Sequence, residues 1–381
     1  MLVGAAALTP LVGWLGPLAF APVAALVGLL CLPALRITNE DRPLAVVLLV
    51  ALIWAAASTT WSPFVPKNPE SSTALKLGLE LPLYWSAVCA ARRADRRLVR
   101  LALRVLAWGM ALMGLVLFVE AVSGAAIYRQ LHILYEGPIR PDLAGKNLGQ
   151  ASFVLALLWP LAAAGGLRAG APGWLAAPMA VGAVVAALTF DSDAPALAVL
   201  LAGAAGLAVW RWPRGGPSVA AIVAAGLFLA MPALVWLVRQ SGAYETLQQA
   251  VPLSWSMRMG YWSHAIDWIA DHPLRGWGLE ASRMFAPGIQ LHPHNGPLQL
   301  WLELGLAGAA AAAAFWALAL RRLARQAPDL AAAAMAASAA VYLLFGALNF
   351  GVWQEWWLAL GALAGAMGVM VARQAALEPS T

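Results

Sequence analysis

The chain reads as an all-α, polytopic membrane protein, and three observations say so. Of its 381 residues 62% are hydrophobic and only 11% charged, well outside the range of a soluble globular domain. Apolar runs long enough to cross about 30 Å of hydrocarbon recur from one end to the other. Charged residues gather in the short breaks between those runs. Twelve spans are expected. Residues 2–35 hold two short ones, interrupted by Pro and Gly and turning near Gly16 and Pro17. Ten more follow at about 44–61, 74–91, 99–123, 147–167, 173–190, 194–212, 218–240, 294–320, 328–349 and 353–373. Cys31 and Cys89 fall inside apolar runs far apart in sequence, so they read as packing residues without a redox role. A cleavable signal is not expected, because the first run lacks a basic leader and flows straight into the second.

The organisation that follows is 1–240 for the first nine spans, 241–293 for a long outward loop, and 294–381 for the last three spans and a tail. Basic residues orient it. Arg36, Arg42, Arg92, Arg93, Arg96, Arg97, Arg100, Arg104, Arg168, Arg211, Arg214, Arg321, Arg322, Arg325 and Arg373 crowd the short connections on one side, 15 of the 24 Lys and Arg. The positive-inside rule makes that side cytoplasmic, with both termini on it, and an even span count agrees. The net charge of +6 is therefore mostly a topology signal, and no nucleic-acid partner is needed to explain it. The longer loops at 124–146 and 241–293 then face outward.

Those outward segments carry their own pattern. Trp255, Met259, Trp262, Ile266 and Ile269 recur at spacings of four and three, one apolar stripe on a helix from about 254 to 270. Asp271-His272-Pro273 ends it and Gly276 and Gly278 follow in a turn. Tyr128, Leu131 and Tyr135 suggest a second, shorter helix of the same sort. Both belong at the depth of lipid headgroups.

The chemistry concentrates in HPHNGPLQLWLELGLAG, His292 to Gly308. Asn295 suits a helix N-cap and Pro297 a first turn. On a straight helix begun there, Gly305 and Gly308 lie within roughly 40° of the His294 direction, a small-residue face that lets a neighbouring helix come close. Glu303 points the other way. Histidine accepts protons near neutral pH, and a helix N-terminus favours anions and a neutral imidazole. A neutral imidazole beside an anion site is what a general base for a phosphate-linked substrate needs.

His294-Asn295, nine residues, Gly305, two residues, Gly308 resembles the signature of the O-antigen ligase and polymerase family of bacterial membrane glycosyltransferases, and is closest to O-antigen ligase. The stretch from Ser256 and Arg258 through Tyr261-Trp262 and Asp271-His272-Pro273 to Gly276-Trp277-Gly278 is similar to the segment that precedes the signature in that family. The resemblance implies a GT-C-like helical fold in the bacterial inner membrane. It implies an inverting glycosyltransferase with neither metal nor other cofactor. A glycan leaves undecaprenyl diphosphate for an acceptor hydroxyl at the periplasmic face, either on lipid A-core or on another glycan. Within it His294 is the general base and Arg258 holds the diphosphate, with Asn295, Gly305 and Gly308 in support. The family's further arginine at the outward end of the seventh span is replaced here by Asp191-Ser192-Asp193, and Lys146 and Arg140 are the expected substitutes.

Each residue also has a plainer reading. His294 can be a polar residue at a span end, Arg258 a snorkelling headgroup anchor, and Lys146 and Arg140 routine interfacial cations. Asp191 and Asp193 read as a short acidic turn before they read as a metal site. His132, His264, His272 and His292 read as ordinary loop residues. A polymerase joining lipid-linked repeat units is the nearest functional alternative to a ligase. Transfer to protein hydroxyls is less favoured, because no sizeable outward domain follows the last span. A lipid or polysaccharide transporter is the alternative of another class, but it calls for paired repeats or mid-membrane charges. Glu80 and Glu120 are isolated and nearer span ends. No ATP-binding loop occurs, and a site facing outward has no supply of nucleotide sugars.

Overall fold

The computed structural model describes residues 1–325 and 329–375. Its helices run in order α1 (Leu2–Leu15), α2 (Phe20–Leu30), α3 (Arg42–Ser58), α4 (Thr73–Arg93), α5 (Arg96–Ser123), α6 (Ala126–Tyr135), α7 (Pro141–Arg168), α8 (Ala176–Thr189), α9 (Asp193–Arg211), α10 (Gly216–Gln240), α11 (Ala243–Ala250), α12 (Leu253–Asp271), α13 (Gly296–Arg321), α14 (Leu330–Leu348) and α15 (Glu355–Ala375). No strand occurs among the described residues. Each of the twelve expected spans coincides with a helix. Seven of these are long and apolar enough to cross a membrane: α5, α7, α9, α10, α13, α14 and α15. Helices α1, α2, α3 and α8 are apolar but shorter, and α4 carries Lys76, Glu80, Arg92 and Arg93.

Helix α7 is the centre of the bundle. It buries Leu148, Leu155, Leu157, Leu158 and Leu161 against α5, α8, α14 and α15. Small residues set how closely these helices approach. Where α5 crosses α8, a Cβ at Gly182 would sit 2.1 Å from the Gly114 carbonyl oxygen, so only glycine permits the crossing. Helix α7 begins at Pro141, earlier than the run at 147 suggests, because Pro at the first helical position and Asp142 in the first turn both favour a helix start.

The arginine-rich connections meet at one end. Asp41 pairs with Arg92 and with Arg322, Arg168 pairs with Asp329, and Arg373 donates to the Arg92 carbonyl. At the other end the 241–293 segment folds back on the bundle. Helix α12 buries Met259, Ala265, Ile266 and Ile269 against Val235 of α10, Tyr244 of α11, and Leu298 and Leu302 of α13. The amphipathic stripe is thus covered by protein, with Trp255 and Trp262 left half-buried.

The structure corrects the straight helix expected after His294. At Gly305 the backbone of α13 takes φ 65° and ψ −161°, and the helix breaks there. The carbonyls released by the break are taken up from outside. Trp277 N–H donates to Leu302 O at 2.9 Å, Gly278 N–H to Glu303 O at 2.8 Å, and the Trp54 indole N–H to Leu304 O at 2.9 Å. Leu306 N–H in turn donates to Pro273 O at 2.8 Å. Gly305 therefore admits the 273–278 turn, backbone against backbone, in place of the neighbouring helix that the small-residue face suggests. Gly308 faces its own chain, since a Cβ there would meet Leu304 at 2.3 Å.

Candidate functional site

The site forms where three pieces of chain meet: α12, the 291–295 turn that leads into α13, and the 349–354 loop between α14 and α15. Asn295 caps α13 as its residue type suggests, its Oδ1 accepting Leu298 N–H at 3.0 Å. The residue before it, His294, has a left-handed backbone at φ 53°, unusual for a side chain of that size. This conformation aims the imidazole at the 349–354 loop. Its Nδ1 lies 2.9 Å from the Asn349 carbonyl oxygen. A carbonyl can only accept, so Nδ1 carries the proton and Nε2 keeps its lone pair. Burial pushes the His294 pKa down, and the nearby Arg258 charge adds to this against the opposing hydrogen bond to Asn349. The ring is therefore neutral at physiological pH, with its base nitrogen free.

Helix α12 supplies the second wall. Arg258, Tyr261 and Trp262 stand at spacings of three and four, so they share one face. Tyr261 stacks on His294 with ring centroids 6.3 Å apart, and the Trp262 indole N–H donates to Pro293 O at 2.9 Å. Arg258 is half-buried and lies 5.1 Å over the Trp255 ring. Among the described residues it has no carboxylate partner. A partly desolvated guanidinium with no counter-charge suits an anion by its chemistry.

The third piece was not visible in the sequence. Val352 N–H donates to Gln299 Oε1 at 2.9 Å and the Trp353 indole N–H donates to Glu303. Glu303 is fully buried and also accepts from Glu280 N–H, the Ser282 hydroxyl and the Gln299 amide. It ties the 280–282 turn and the 349–354 loop to α13. Beside it lies a cavity of about 400 Å³ whose lining includes Arg283, His292, Gln299 and Gln354. Gln299 and Glu303, four apart in an apolar helix, were the sequence signal for this network.

The other expected residues belong to other elements. Arg140 caps the start of α7, is exposed, and pairs with Asp142 at 2.7 Å. Lys146, six residues further on, is exposed and has no carboxylate partner among the described residues. Helix α7 packs on α14 and α15, whose connecting loop touches His294. Asp191 sits in an exposed left-handed turn and Asp193 opens α9. No group of three or more His, Cys, Asp or Glu is placed to hold a metal among the described residues. His132, His264 and His272 pack on Tyr135, Trp268 and Trp277. His292, read as an ordinary loop residue, is instead buried against His294.

Comparison with known proteins places these elements. A protein of Rickettsia conorii (strain ATCC VR-613 / Malish 7) named "Putative polysaccharide ligase" is 26% identical over 118 residues. That match spans 27% of this chain and 29% of the relative, so less than a third of either is covered. No solved structure matches the chain. The family model described as O-antigen ligase matches residues 178–313, from within α8 to beyond the break in α13, and takes in Arg258, His294, Gly305 and Gly308. Over residues 178–313, about a third of its length, the chain is thus similar to the O-antigen ligase family.

Proposed function

We propose that this protein is an O-antigen ligase-like, inverting glycosyltransferase of the bacterial inner membrane. It moves a glycan from undecaprenyl diphosphate to a hydroxyl of lipid A-core at the periplasmic face. The observation that carries the reading is the tautomer of His294 set by Asn349, whose Nε2 lone pair is free on a neutral ring beside Arg258, which has no carboxylate partner among the described residues. The acceptor hydroxyl gives its proton to Nε2 as its oxygen attacks the anomeric carbon from the face opposite the diphosphate. The glycosidic C–O bond breaks, and the electron pair leaves on undecaprenyl diphosphate. Arg258 meets the charge that develops there, with a planar fork suited to two phosphate oxygens. Lys146 is the better second cation, since Arg140 is already engaged by Asp142.

In this reading all twelve helices cross the bilayer and both termini lie in the cytoplasm. The gathering of Arg92, Arg168, Arg322 and Arg373 at one end supports that orientation. The test is a transfer assay with purified protein, undecaprenyl-diphosphate-linked glycan and lipid A-core. His294→Ala is expected to insert and fold normally and to lose transfer. Near-normal turnover in that variant overturns the mechanism. Extension of the lipid-linked glycan in place of its attachment to lipid A-core makes the enzyme a polymerase.

A further inference from the structure

The transfer chemistry uses His294 and Arg258 and leaves two side chains beside them without a role, the buried His292 and the half-buried Gln354. His292 is 5% exposed, and its ring centroid lies 4.2 Å from that of His294. Its Nδ1 accepts the backbone N–H of His294 at 3.1 Å. A neutral imidazole has one N–H, so the proton of His292 sits on Nε2. The side-chain amide of Gln354 approaches that nitrogen at 3.5 Å. An NH2 group turned toward an N–H sets two donors face to face, and in that orientation the Gln354 oxygen is buried without a donor. The two ends of an amide are assigned from the hydrogen-bond network, and here the proton count turns the oxygen toward His292.

We infer that Gln354 and His292 form a positioning relay for His294. Gln354 Oε1 accepts from His292 Nε2–H, and His292 Nδ1 accepts from the His294 backbone. The relay holds His294 in the left-handed conformation from which its own Nδ1–H reaches Asn349 O. It rests on the assignment of His294 as the base. The same short loop thereby supplies both acceptors, Asn349 O for one histidine and Gln354 Oε1 for the other. The bond from residue 292 to the N–H two residues on has the form of an Asx turn, in which a short side chain accepts the same N–H. What the position requires is an acceptor, and a titrating ring is not needed. His292 is unfit to carry the proton itself. Burial first, and then the neighbouring Arg283 and Arg258 charges and His294 whenever it is protonated, lower its pKa to about 3. The carboxylates on the same cavity, Glu280, Glu303 and Glu355, do not reverse this.

The experiment uses the full-length protein at pH 8, with initial rates against lipid-linked donor and lipid A-core and a thermal melt for every variant. His292→Ala is expected to lower kcat by about 10²-fold, the scale of an approximately 1 Å misplacement of a reacting group, with little change in donor KM. His292→Asn restores the acceptor and is expected to regain most of that kcat. Gln354→Leu leaves His292 Nε2–H unpaired and lowers kcat, whereas Gln354→Glu keeps an acceptor there and retains activity. Wild-type kcat in His292→Ala overturns the relay. So does a folded His292→Asn as inactive as His292→Ala, because the ring itself is then required. A Gln354→Glu as impaired as Gln354→Leu overturns the assigned amide orientation and the relay with it. Should His292→Ala fail to fold, His292→Asn and the Gln354 pair still decide. Failure of the base assignment is separate, since it is read from His294→Ala alone.

Discussion

Gly305 is the residue on which the site's framework depends most sharply. Its φ of 65° with ψ −161° lies in a region open almost only to glycine. A Cβ there would stand 2.4 Å from the carbonyl carbon and oxygen of Leu274 and 2.6 Å from Gly276 N. The turn cannot retreat cheaply, because three backbone hydrogen bonds tie 273–278 to the break. Gly305→Ala therefore incurs about 1–3 kcal/mol of backbone strain, plus about 1 kcal/mol for each of the three bonds as the turn is displaced. The total is about 4–6 kcal/mol, a large share of a typical stability of about 5–15 kcal/mol. Thermal unfolding of purified protein is expected to show a large fall in Tm or little folded protein. Gly203→Ala is the control, since a Cβ there has nothing within 4 Å in the middle of α9, and its melt should match the wild type. A Gly305→Ala protein that melts with the wild type refutes the account of the break.

If Arg258 grips the diphosphate through two oxygens, Arg258→Lys should fail nearly as badly as Arg258→Ala, with turnover down about 10²-fold or more at saturating donor. A headgroup anchor would tolerate lysine, so full activity in Arg258→Lys removes Arg258 from the site. Lys146→Ala should lower turnover in the same direction but less, and more than Arg140→Ala, whose guanidinium is already paired. Equal effects of the two would remove that ranking. Glu303→Gln turns an NH2 toward one or more of four donors, at a cost of about 1–3 kcal/mol, and should lower Tm in the absence of any substrate. An unchanged melt would mean that the carboxylate is not the tie between α13 and its two loops.

Local signals in the sequence survive in the structure, and non-local ones were hidden from it. The apolar runs became helices, the stripe from Trp255 to Ile269 became α12, and Asn295 caps α13. Each of these depends on residues a few positions apart. The break at Gly305 depends on Trp54 and on 273–278, far away in sequence, so two glycines in an apolar helix looked like an ordinary packing face. The same limit hid His292, Gln354 and Asn349. Their roles come from a loop between two later helices that folds back onto the histidines. Polar residues inside an apolar stretch, Gln299 with Glu303 and Gln354 with Glu355, were the trace that such a network leaves.

Arg258 and His294 are electrically linked, and the link gives the donor a measurable effect on the base. In the free enzyme burial first, and then the Arg258 charge, hold the His294 pKa below its ordinary value. As the proposed base His294 would act while neutral, so activity is expected to be complete above its pKa and to fall as pH drops through it. A diphosphate seated on Arg258 cancels the cation and places negative charge near the imidazole. Both changes favour the protonated ring and raise its pKa, while any further burial by the donor pulls the other way. The acid limb of kcat/KM reports the free enzyme and that of kcat reports the complex. With the diphosphate beside Arg258, the kcat limb should therefore lie at higher pH than the kcat/KM limb. In Arg258→Ala the cation is missing from the start, so the kcat/KM limb should move up and the gap should narrow. A gap between the two limbs that Arg258→Ala leaves unchanged would mean that the anion binds away from Arg258.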